Sequence, residues 1–267
     1  MFFNAKEKIL SVQGSTTRYI TFGKGEKTLI MIQGLNTNGI KGAALPLALA
    51  YRCFARDYTV YLFDRADDLP ENVTVRHLAD DLAAYMDALG LKNADVLGVS
   101  EGGMIAQRLT VDRPDLVHSL VLAVTLSRSN ATVESAVNGW VEMTERGDMK
   151  ALITDMAEKM YSDSYLKRYK PLLPLLTVLQ RPKDKARFTT LAKSCLTCDT
   201  YGELTKIKCP VLVIGGGRDK IVGADALYEL RDALDCETYV YEKLGHACYE
   251  EAKDFNTRVL EFFRKVR

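Results

Sequence analysis

A serine in a glycine-rich segment is the strongest candidate for a catalytic residue in this chain. Ser100 lies within residues 98–103, which read G-x-S-x-G-G, and the preceding run 94–97 is apolar, as in a buried strand. A serine hydroxyl is a poor nucleophile at neutral pH, so it needs a base within hydrogen-bond reach and a group that fixes the tautomer of that base. The pattern therefore predicts a nucleophile at Ser100 with two partners elsewhere in the chain.

The glycines around Ser100 predict a very tight turn between a strand and a helix. At Gly98 and Gly102 a side chain would collide with the neighbouring backbone. The turn would hold the Ser100 hydroxyl above the carboxyl edge of the sheet, and the N–H of Glu101 would stay free to bind a developing negative charge. The alternative is a glycine-rich connection without chemistry, but the coincidence of strand, motif and helix favours the catalytic interpretation.

The base is one of three histidines. His246 follows a predicted strand and precedes the final predicted helix, so it lies in a loop at the sheet edge where ligands bind in open α/β folds. His77 shares a predicted helix face with Asp81 and is expected at the surface, and His118 precedes a strand. His246 is therefore the predicted base, with a purely structural loop histidine as the alternative.

The acid is expected at the end of a strand, between the serine and the histidine in the chain. Asp219 meets that description because it follows the glycine run 215–217, although an aspartate in such a place is also common in plain turns. Asp64 also follows a strand, but it precedes the serine, and it is the second candidate. The predicted set is therefore Ser100, Asp219 and His246.

Strand and helix patterns alternate along most of the chain. Two short strands joined through Gly14 and Ser15 predict an antiparallel entry, and helical periodicity separates the later strands. This alternation predicts an α/β fold with a mostly parallel sheet of eight strands and helices on both faces. The predicted strands cover residues 8–13, 17–22, 28–33, 59–63, 94–97, 119–124, 210–215 and 237–241.

The alternation stops between residues 127 and 208, where only helical patterns occur. Four helices are predicted there, over 132–146, 149–161, 164–179 and 184–198, with breaks at glycine and proline. We interpret this segment as an all-helical lid inserted after the sixth strand. The predicted division is a core of residues 1–126 and 209–267 and a cap of residues 127–208.

Composition and charge exclude several classes of protein. The chain has 267 residues, of which 47% are hydrophobic, and its net charge of +1 gives no global field for nucleic acid or an anionic membrane. No stretch approaches the ~20 apolar residues of a membrane span, and no apolar leader opens the sequence, so a cytoplasmic location is expected. The predicted partner is a small-molecule substrate, and the sequence leaves a homodimer open.

The six cysteines are expected to be free thiols, because they are scattered and no leader precedes them. Cys195 and Cys198 form a C-x-x-C pair. A zinc site would need a second pair or histidines nearby, and a redox pair would need a thioredoxin-like beginning. Two reduced, partly buried cysteines are the favoured interpretation.

With its serine turn and the chain order Ser100, Asp219, His246, the sequence resembles the α/β-hydrolase superfamily over nearly its whole length. The resemblance implies that Ser100 is the nucleophile, His246 the general base and then acid, and Asp219 the orienting carboxylate. It also implies an oxyanion hole made by the N–H groups of Leu35 and Glu101, and acyl transfer to water through an acyl-enzyme. No metal or organic cofactor is implied.

The sequence departs from the family pattern near the implied oxyanion hole. Gln33 stands before Gly34 where these proteins usually have histidine, so a side chain that braces the hole is replaced. The glycine-rich segment after the fourth strand is also missing, and residues 64–68 read D-R-A-D-D. Because an ionised carboxylate would disfavour the oxyanion, the Glu101 side chain is expected to point away, stabilising the helix start or binding a lid cation.

The lid is expected to cover an acyl pocket, with plain packing against the core as the alternative for each of its residues. The leading hypothesis is a small-molecule hydrolase of carboxylic esters or lactones, similar to capped esterases and enol-lactonases. The alternatives are C–C bond hydrolysis of a diketone-type substrate, an aminopeptidase-like hydrolase, and a ligand-binding protein that turns over slowly. The candidate pocket residues are Asn36, Trp140, Met143, Met156, Met160, Tyr161 and Tyr165.

Overall fold

The computed structural model describes residues 2–169, 171, 175 and 178–267. Within them eight strands form one sheet: β1 (Lys6–Val12), β2 (Ser15–Gly23), β3 (Lys27–Ile32), β4 (Tyr58–Phe63), β5 (Ala94–Val99), β6 (Val117–Ala123), β7 (Val211–Gly216) and β8 (Glu237–Tyr241). Their order across the sheet is β1-β2-β4-β3-β5-β6-β7-β8. Strand β2 runs antiparallel to β1 and β4, and every pairing from β4 to β8 is parallel. The predicted mostly parallel eight-stranded sheet is therefore confirmed.

Helices cover both faces of this sheet. The helices within the described residues are α1 (Ala44–Ala50), α2 (Val75–Ala88), α3 (Glu101–Asp112), α4 (Ala131–Glu145), α5 (Met149–Met160), α6 (Asp163–Tyr169), α7 (Lys185–Cys195), α8 (Ala224–Ala233), α9 (Cys248–Glu251) and α10 (Phe255–Lys265). Short 3₁₀ helices cover Phe2–Asn4, Arg52–Phe54, Pro114–Leu116 and Tyr201–Lys206. Successive side chains of a strand point to opposite faces, so Ile30 of β3 packs with α2 and α3 while Leu29 and Met31 pack with α1 and α10.

The hairpin between β1 and β2 turns one residue earlier than the sequence predicts. Its two turn residues are Gln13 and Gly14, with φ values of 52° and 84°, and Ser15 already pairs with Val12. A two-residue hairpin turn of this kind needs positive φ at both positions, because only then does its twist match that of the strands. Glycine supplies one such position without strain, and Gln13 supplies the other.

The segment between β6 and β7 is helical, as predicted. It contains α4 to α7, and the side chains of Asn130, Asp148 and Asp184 cap three of these helices by accepting backbone N–H groups. Of the predicted helix 164–179, the first part is α6, and residues 170, 172–174 and 176–177 lie outside the described residues. The division into core and cap at residues 127 and 208 stays a prediction. None of the helices in the described ranges is long and apolar enough to cross a membrane.

Candidate active site

The turn after β5 holds Ser100 in an unusual backbone conformation. Its φ of 55° and ψ of −120° are rarely adopted by residues with a side chain, and the residue directly precedes α3. A Cβ on Gly98 would lie 2.5 Å from the carbonyl oxygen of Gly102, and a Cβ on Gly102 would lie 2.0 Å from that of Ile32. The backbone is thus packed so closely around Ser100 that both glycines are required.

Replacing Gly102 with alanine is expected to lower the free energy of unfolding by more than about 3 kcal/mol, because the new methyl group would overlap a carbonyl of the central strand β3. Gly139→Ala in α4 is the matched control. Open space surrounds Gly139, so the alanine is expected to stabilise the protein by about 0.4–1 kcal/mol. Chemical denaturation measures both changes. A Gly102→Ala protein as stable as the wild type would contradict the tight turn.

Three side chains from the ends of three strands form a continuous hydrogen-bonded chain. The Ser100 hydroxyl lies 3.0 Å from Nε2 of His246, and Nδ1 of His246 lies 2.8 Å from Oδ2 of Asp219. The parallel strands β5, β7 and β8 end at one edge, which brings the loops after them together. The second Asp219 oxygen accepts the N–H groups of Ile221 and Val222, which fixes the carboxylate. The structure therefore brings together all three residues of the predicted set.

The other candidates for acid and base lie in other contacts. Asp64 accepts the N–H of Ile40 at 3.0 Å, so its carboxylate holds the loop that follows β3. His77 is exposed and caps the start of α2. His118 contacts a backbone carbonyl at 3.3 Å. Among these residues only Asp219 is hydrogen-bonded to His246, which favours it over Asp64 as the acid.

Two backbone N–H groups flank Ser100. The loop after β3 approaches so closely that a Cβ on Gly34 would lie 3.0 Å from the Cβ of Ser100, and Leu35 follows in the same loop. Glu101 is the first residue of α3, where an N–H has no partner inside the helix. Within the described part of the chain, no backbone carbonyl accepts the N–H of Leu35 or of Glu101. These are the two donors that the resemblance to the α/β-hydrolase superfamily implies for an oxyanion hole.

The Glu101 side chain lies outside the cavities beside Ser100, in a buried ion pair. Its Oε2 lies 2.8 Å from Nη2 of Arg65, and its Oε1 accepts the Ser194 hydroxyl at 3.2 Å. The same Arg65 nitrogen donates to the carbonyl oxygen of Gln33 at 2.7 Å. The expected outward direction is therefore found, but the cation comes from the loop after β4, and the helical segment contributes a hydroxyl instead.

Ser100 and His246 open into an apolar inner cavity of about 50 Å³. One water molecule needs about 10–15 Å³ of cavity volume, so this cavity holds only a few non-hydrogen atoms. Trp140 contributes the apolar surface of its ring to the cavity wall. Its Nε1–H donates to Asp155 at 2.8 Å, so it is not free to bind a ligand in the cavity. The walls include Met104, Val133, Val137, Trp140, Met156 and Ile221.

A larger and more polar outer cavity of about 330 Å³ adjoins the inner one at Gly34 and Leu35. Glu250 is the carboxylate among its described lining residues, and it accepts the Tyr161 hydroxyl at 2.6 Å. Burial and the Glu250 charge raise the pKa of Tyr51 to about 12 and also raise the pKa of Tyr161 and Tyr249. The three phenols are therefore protonated at neutral pH.

The predicted pocket residues divide between the cavities and the surrounding packing. Trp140 lines the inner cavity, and Asn36 and Tyr161 line the outer one. Met143 lines neither, because it packs against the hydrophobic core. Tyr165 also lines neither and stacks on Tyr161, with ring centroids 4.8 Å apart. The structure thus does not bring Met143 or Tyr165 into the pocket.

Several residues of the cavity walls were not predicted from the sequence. Val133 and Val137 share one face of α4 with Trp140, and this spacing of four and three residues was a signal that could have found them. Tyr249 follows His246 by three residues and lines both cavities. No sequence pattern indicates Tyr51 or Arg65, because each reaches the site from another element.

The cysteine pair lies in the core as free thiols. Cys195 and Cys198 are both buried. Burial raises the pKa of the Cys198 thiol to about 12 and raises that of Cys195 well above its usual value. Both thiols are therefore protonated at neutral pH, and a thiolate is the form that reacts or binds metal.

The chain is similar in sequence or in structure to several known enzymes. RutD of Pseudomonas syringae pv. syringae, named provisionally as a carbamate hydrolase, is 27% identical over 229 residues, which are 82% of this chain and 86% of RutD. A 2-hydroxy-6-oxononadienedioate/2-hydroxy-6-oxononatrienedioate hydrolase of Pseudomonas sp is 28% identical over 187 residues, 67% of this chain and 66% of that protein. The enol-lactonase structure from Burkholderia xenovorans LB400 has a TM-score of 0.83 at 20% identity, covering 96% of this chain and 100% of that one.

A family match covers most of the sheet and the turn that carries Ser100. Residues 27–253 match the α/β hydrolase fold family, a stretch that includes strands β3 to β8 and the loops after them. Two of the relatives named above, RutD and the Pseudomonas sp protein, are named as hydrolases. This chain therefore belongs to the α/β hydrolase fold family, and it is a hydrolase.

Proposed function

We propose that the protein is a serine hydrolase that cleaves a small carboxylic ester or lactone through an acyl-enzyme. The observation that carries the proposal is the hydrogen-bonded chain Ser100–His246–Asp219, with distances of 3.0 and 2.8 Å, in the wall of a cavity. This arrangement meets both needs of a serine nucleophile, a base in reach and a group that orients the base. A ligand-binding protein would need neither.

In the first step Ser100 Oγ attacks the carbonyl carbon while Nε2 of His246 takes the hydroxyl proton. Asp219 holds the proton on Nδ1 and stabilises the imidazolium that forms. The N–H groups of Leu35 and Glu101 bind the negative oxygen of the tetrahedral intermediate. His246 then gives its proton to the leaving oxygen. In the second step water attacks the acyl-enzyme, with His246 again acting as base and then as acid, which releases the carboxylic acid and regenerates Ser100. Every proton is moved by residues of this chain.

The two cavities suggest how a substrate would divide between them. The inner cavity is apolar and narrow, which suits a short acyl group, and the outer cavity is wider and polar, which suits the leaving alcohol or the tethered alkoxide of a lactone. A relative named provisionally as a carbamate hydrolase supports a carbonyl substrate with a heteroatom leaving group. The proposed substrate is therefore an ester or lactone with a short acyl chain.

The value of kcat/KM is expected to depend sharply on the length of the acyl chain of the ester. With p-nitrophenyl esters, kcat/KM should be highest for chains of two to four carbons and lower by at least about tenfold for octanoate, since the inner cavity holds few atoms. Rapid quenching and intact-mass measurement should find an acyl adduct on the wild type and none on the Ser100→Ala protein. Equal rates across the series would contradict the assignment of the inner cavity, and the absence of any acyl adduct would contradict the proposed mechanism.

A pair of buried valines in α4 provides the matched control. Val137 lines the inner cavity and Val141 does not, although both are buried. Val137→Ala should shift the preferred chain to longer acyl groups, and Val141→Ala should leave the preference unchanged.

A 2-hydroxy-6-oxo dienoate belongs in the panel because one relative is named for such a substrate. Turnover of that compound alone would replace the ester proposal with C–C bond hydrolysis.

A further inference from the structure

One nitrogen of Arg65 connects the two backbone segments that flank Ser100. Nη2 of Arg65 donates to the carbonyl oxygen of Gln33 at 2.7 Å and to the carboxylate of Glu101 at 2.8 Å. Gln33 lies two residues before Leu35 in the loop after β3, and Glu101 begins α3. The two segments that carry the N–H groups are thus tied to the same atom.

This ion pair is buried to a degree that stability alone does not explain. The side chains of Arg65 and Glu101 are 6% and 1% exposed. Removing two charges from water is expensive, and a buried ion pair is often no more stable than apolar residues of the same size. The specific gain from such a pair is geometric, because a charge-assisted hydrogen bond fixes distances more tightly than apolar packing does.

The Gln33 side chain does not supply this fixation. Its amide nitrogen is buried and has no hydrogen-bond partner among the described residues. The main-chain carbonyl of Gln33 is held instead, by Arg65. The link also extends into the helical segment, since the Ser194 hydroxyl of α7 donates to Oε1 of Glu101 at 3.2 Å.

We propose that Arg65 is a positioning residue, which holds the N–H groups of Leu35 and Glu101 at the separation that the oxyanion requires. The inference rests on the proposed function, and it explains how the site works with Gln33 in place of histidine. Arg65 touches no reacting atom. Its effect passes through the Gln33 carbonyl to one donor and through the Glu101 side chain to the other. An oxyanion gains from two preorganised donors only when both are correctly placed.

The test is a double variant, Arg65→Met/Glu101→Met, which removes both charges and keeps side chains of similar size. Each single variant leaves one buried charge without its partner, whereas the double variant should melt at a higher temperature than Arg65→Met alone. In rapid-mixing experiments with p-nitrophenyl acetate, the acylation rate at saturation should fall about 10- to 100-fold. The apparent substrate affinity should stay within about threefold, because ground-state binding does not use the oxyanion donors.

The control is a second buried arginine that is also paired. Arg108 is 3% exposed, bonds Glu203 and Asp112, and lines neither cavity beside Ser100. Arg108→Met should lower the melting temperature without changing the acylation rate. If the double variant fails to fold, Arg65→Lys takes its place, because the lysine side chain is one bond shorter and its nitrogen falls short of the position from which Nη2 reaches both acceptors. A folded variant that acylates within about threefold of the wild type would overturn the proposal.

Amide hydrogen exchange separates this inference from the proposed function. Peptides that contain residues 33–35 should exchange faster in the double variant than in the wild type, and Arg108→Met should leave them unchanged. If the wild type forms no acyl-enzyme, the proposed function fails, while faster exchange still supports the link through Arg65. Unchanged exchange in those peptides would overturn the inference whatever the activity.

Discussion

Replacing Ser100 with alanine is expected to lower kcat for ester hydrolysis by about 10⁵- to 10⁶-fold and to abolish labelling by a fluorophosphonate probe. Alanine removes the attacking oxygen, and the remaining base and backbone donors supply only residual catalysis. The loss corresponds to about 7–8 kcal/mol of transition-state stabilisation. Initial rates on the purified variant and intact-mass analysis after labelling measure the two effects.

Ser127→Ala is the matched control for this variant. Ser127 is a buried serine of the loop after β6, and its hydroxyl has no hydrogen-bond partner among the described residues. The Ser127→Ala protein should react with the probe at the wild-type rate. A phosphonate adduct on the Ser100→Ala protein would contradict the assignment of the nucleophile, and an unreactive but folded wild type would favour a binding protein.

Replacing Asp219 with asparagine is expected to lower kcat by about 10⁴-fold, or about 5 kcal/mol, through the tautomer of His246. Oδ1 of Asp219 accepts two backbone N–H groups, so the amide oxygen of asparagine will occupy that position. The amide nitrogen then faces Nδ1 of His246 and forces it to accept. The proton moves to Nε2, and His246 can no longer take the proton of Ser100.

Thermal stability and a second aspartate provide the controls for Asp219→Asn. Because both backbone N–H groups keep their acceptor, the melting temperature should stay within a few degrees of the wild type. Asp64→Asn tests the other candidate acid, which holds the loop at Ile40 and has no contact with His246. Its kcat should change far less than that of Asp219→Asn. The reverse ranking would require the site to be redrawn around the end of β4.

The sheet and the residues beside its carboxyl edge could be predicted from the sequence because their signals are local. Apolar runs of strand length alternate with helical periodicity, and the glycines around Ser100 occur where a side chain would overlap the backbone. Asp219 and His246 follow strands, and parallel strands place their ends at one edge. The order of the residues in the chain was therefore enough to bring them together.

The contacts between elements could not be predicted in the same way. Arg65 in the loop after β4 forms an ion pair with Glu101 at the start of α3, and no sequence pattern around either residue indicates the other. Met143 was an attractive pocket residue because of its type, but the rotation of α4 turns it toward the core and turns Val137 toward the cavity. A sequence shows that a helix has an apolar face, and only tertiary packing decides what that face touches.

The meeting of the two cavities at Gly34 and Leu35 gives the proposed reaction a handedness. The tetrahedral carbon on Ser100 would carry four different groups: the serine oxygen, the oxyanion, the acyl carbon and the leaving oxygen. With the acyl carbon in the narrow cavity and the leaving oxygen in the wide one, only one face of the planar carbonyl can meet the serine. A stereocentre next to the carbonyl would then be surrounded closely by side chains, whereas one in the alcohol would have room. Such an enzyme distinguishes the enantiomers of chiral acids more strictly than those of chiral alcohols.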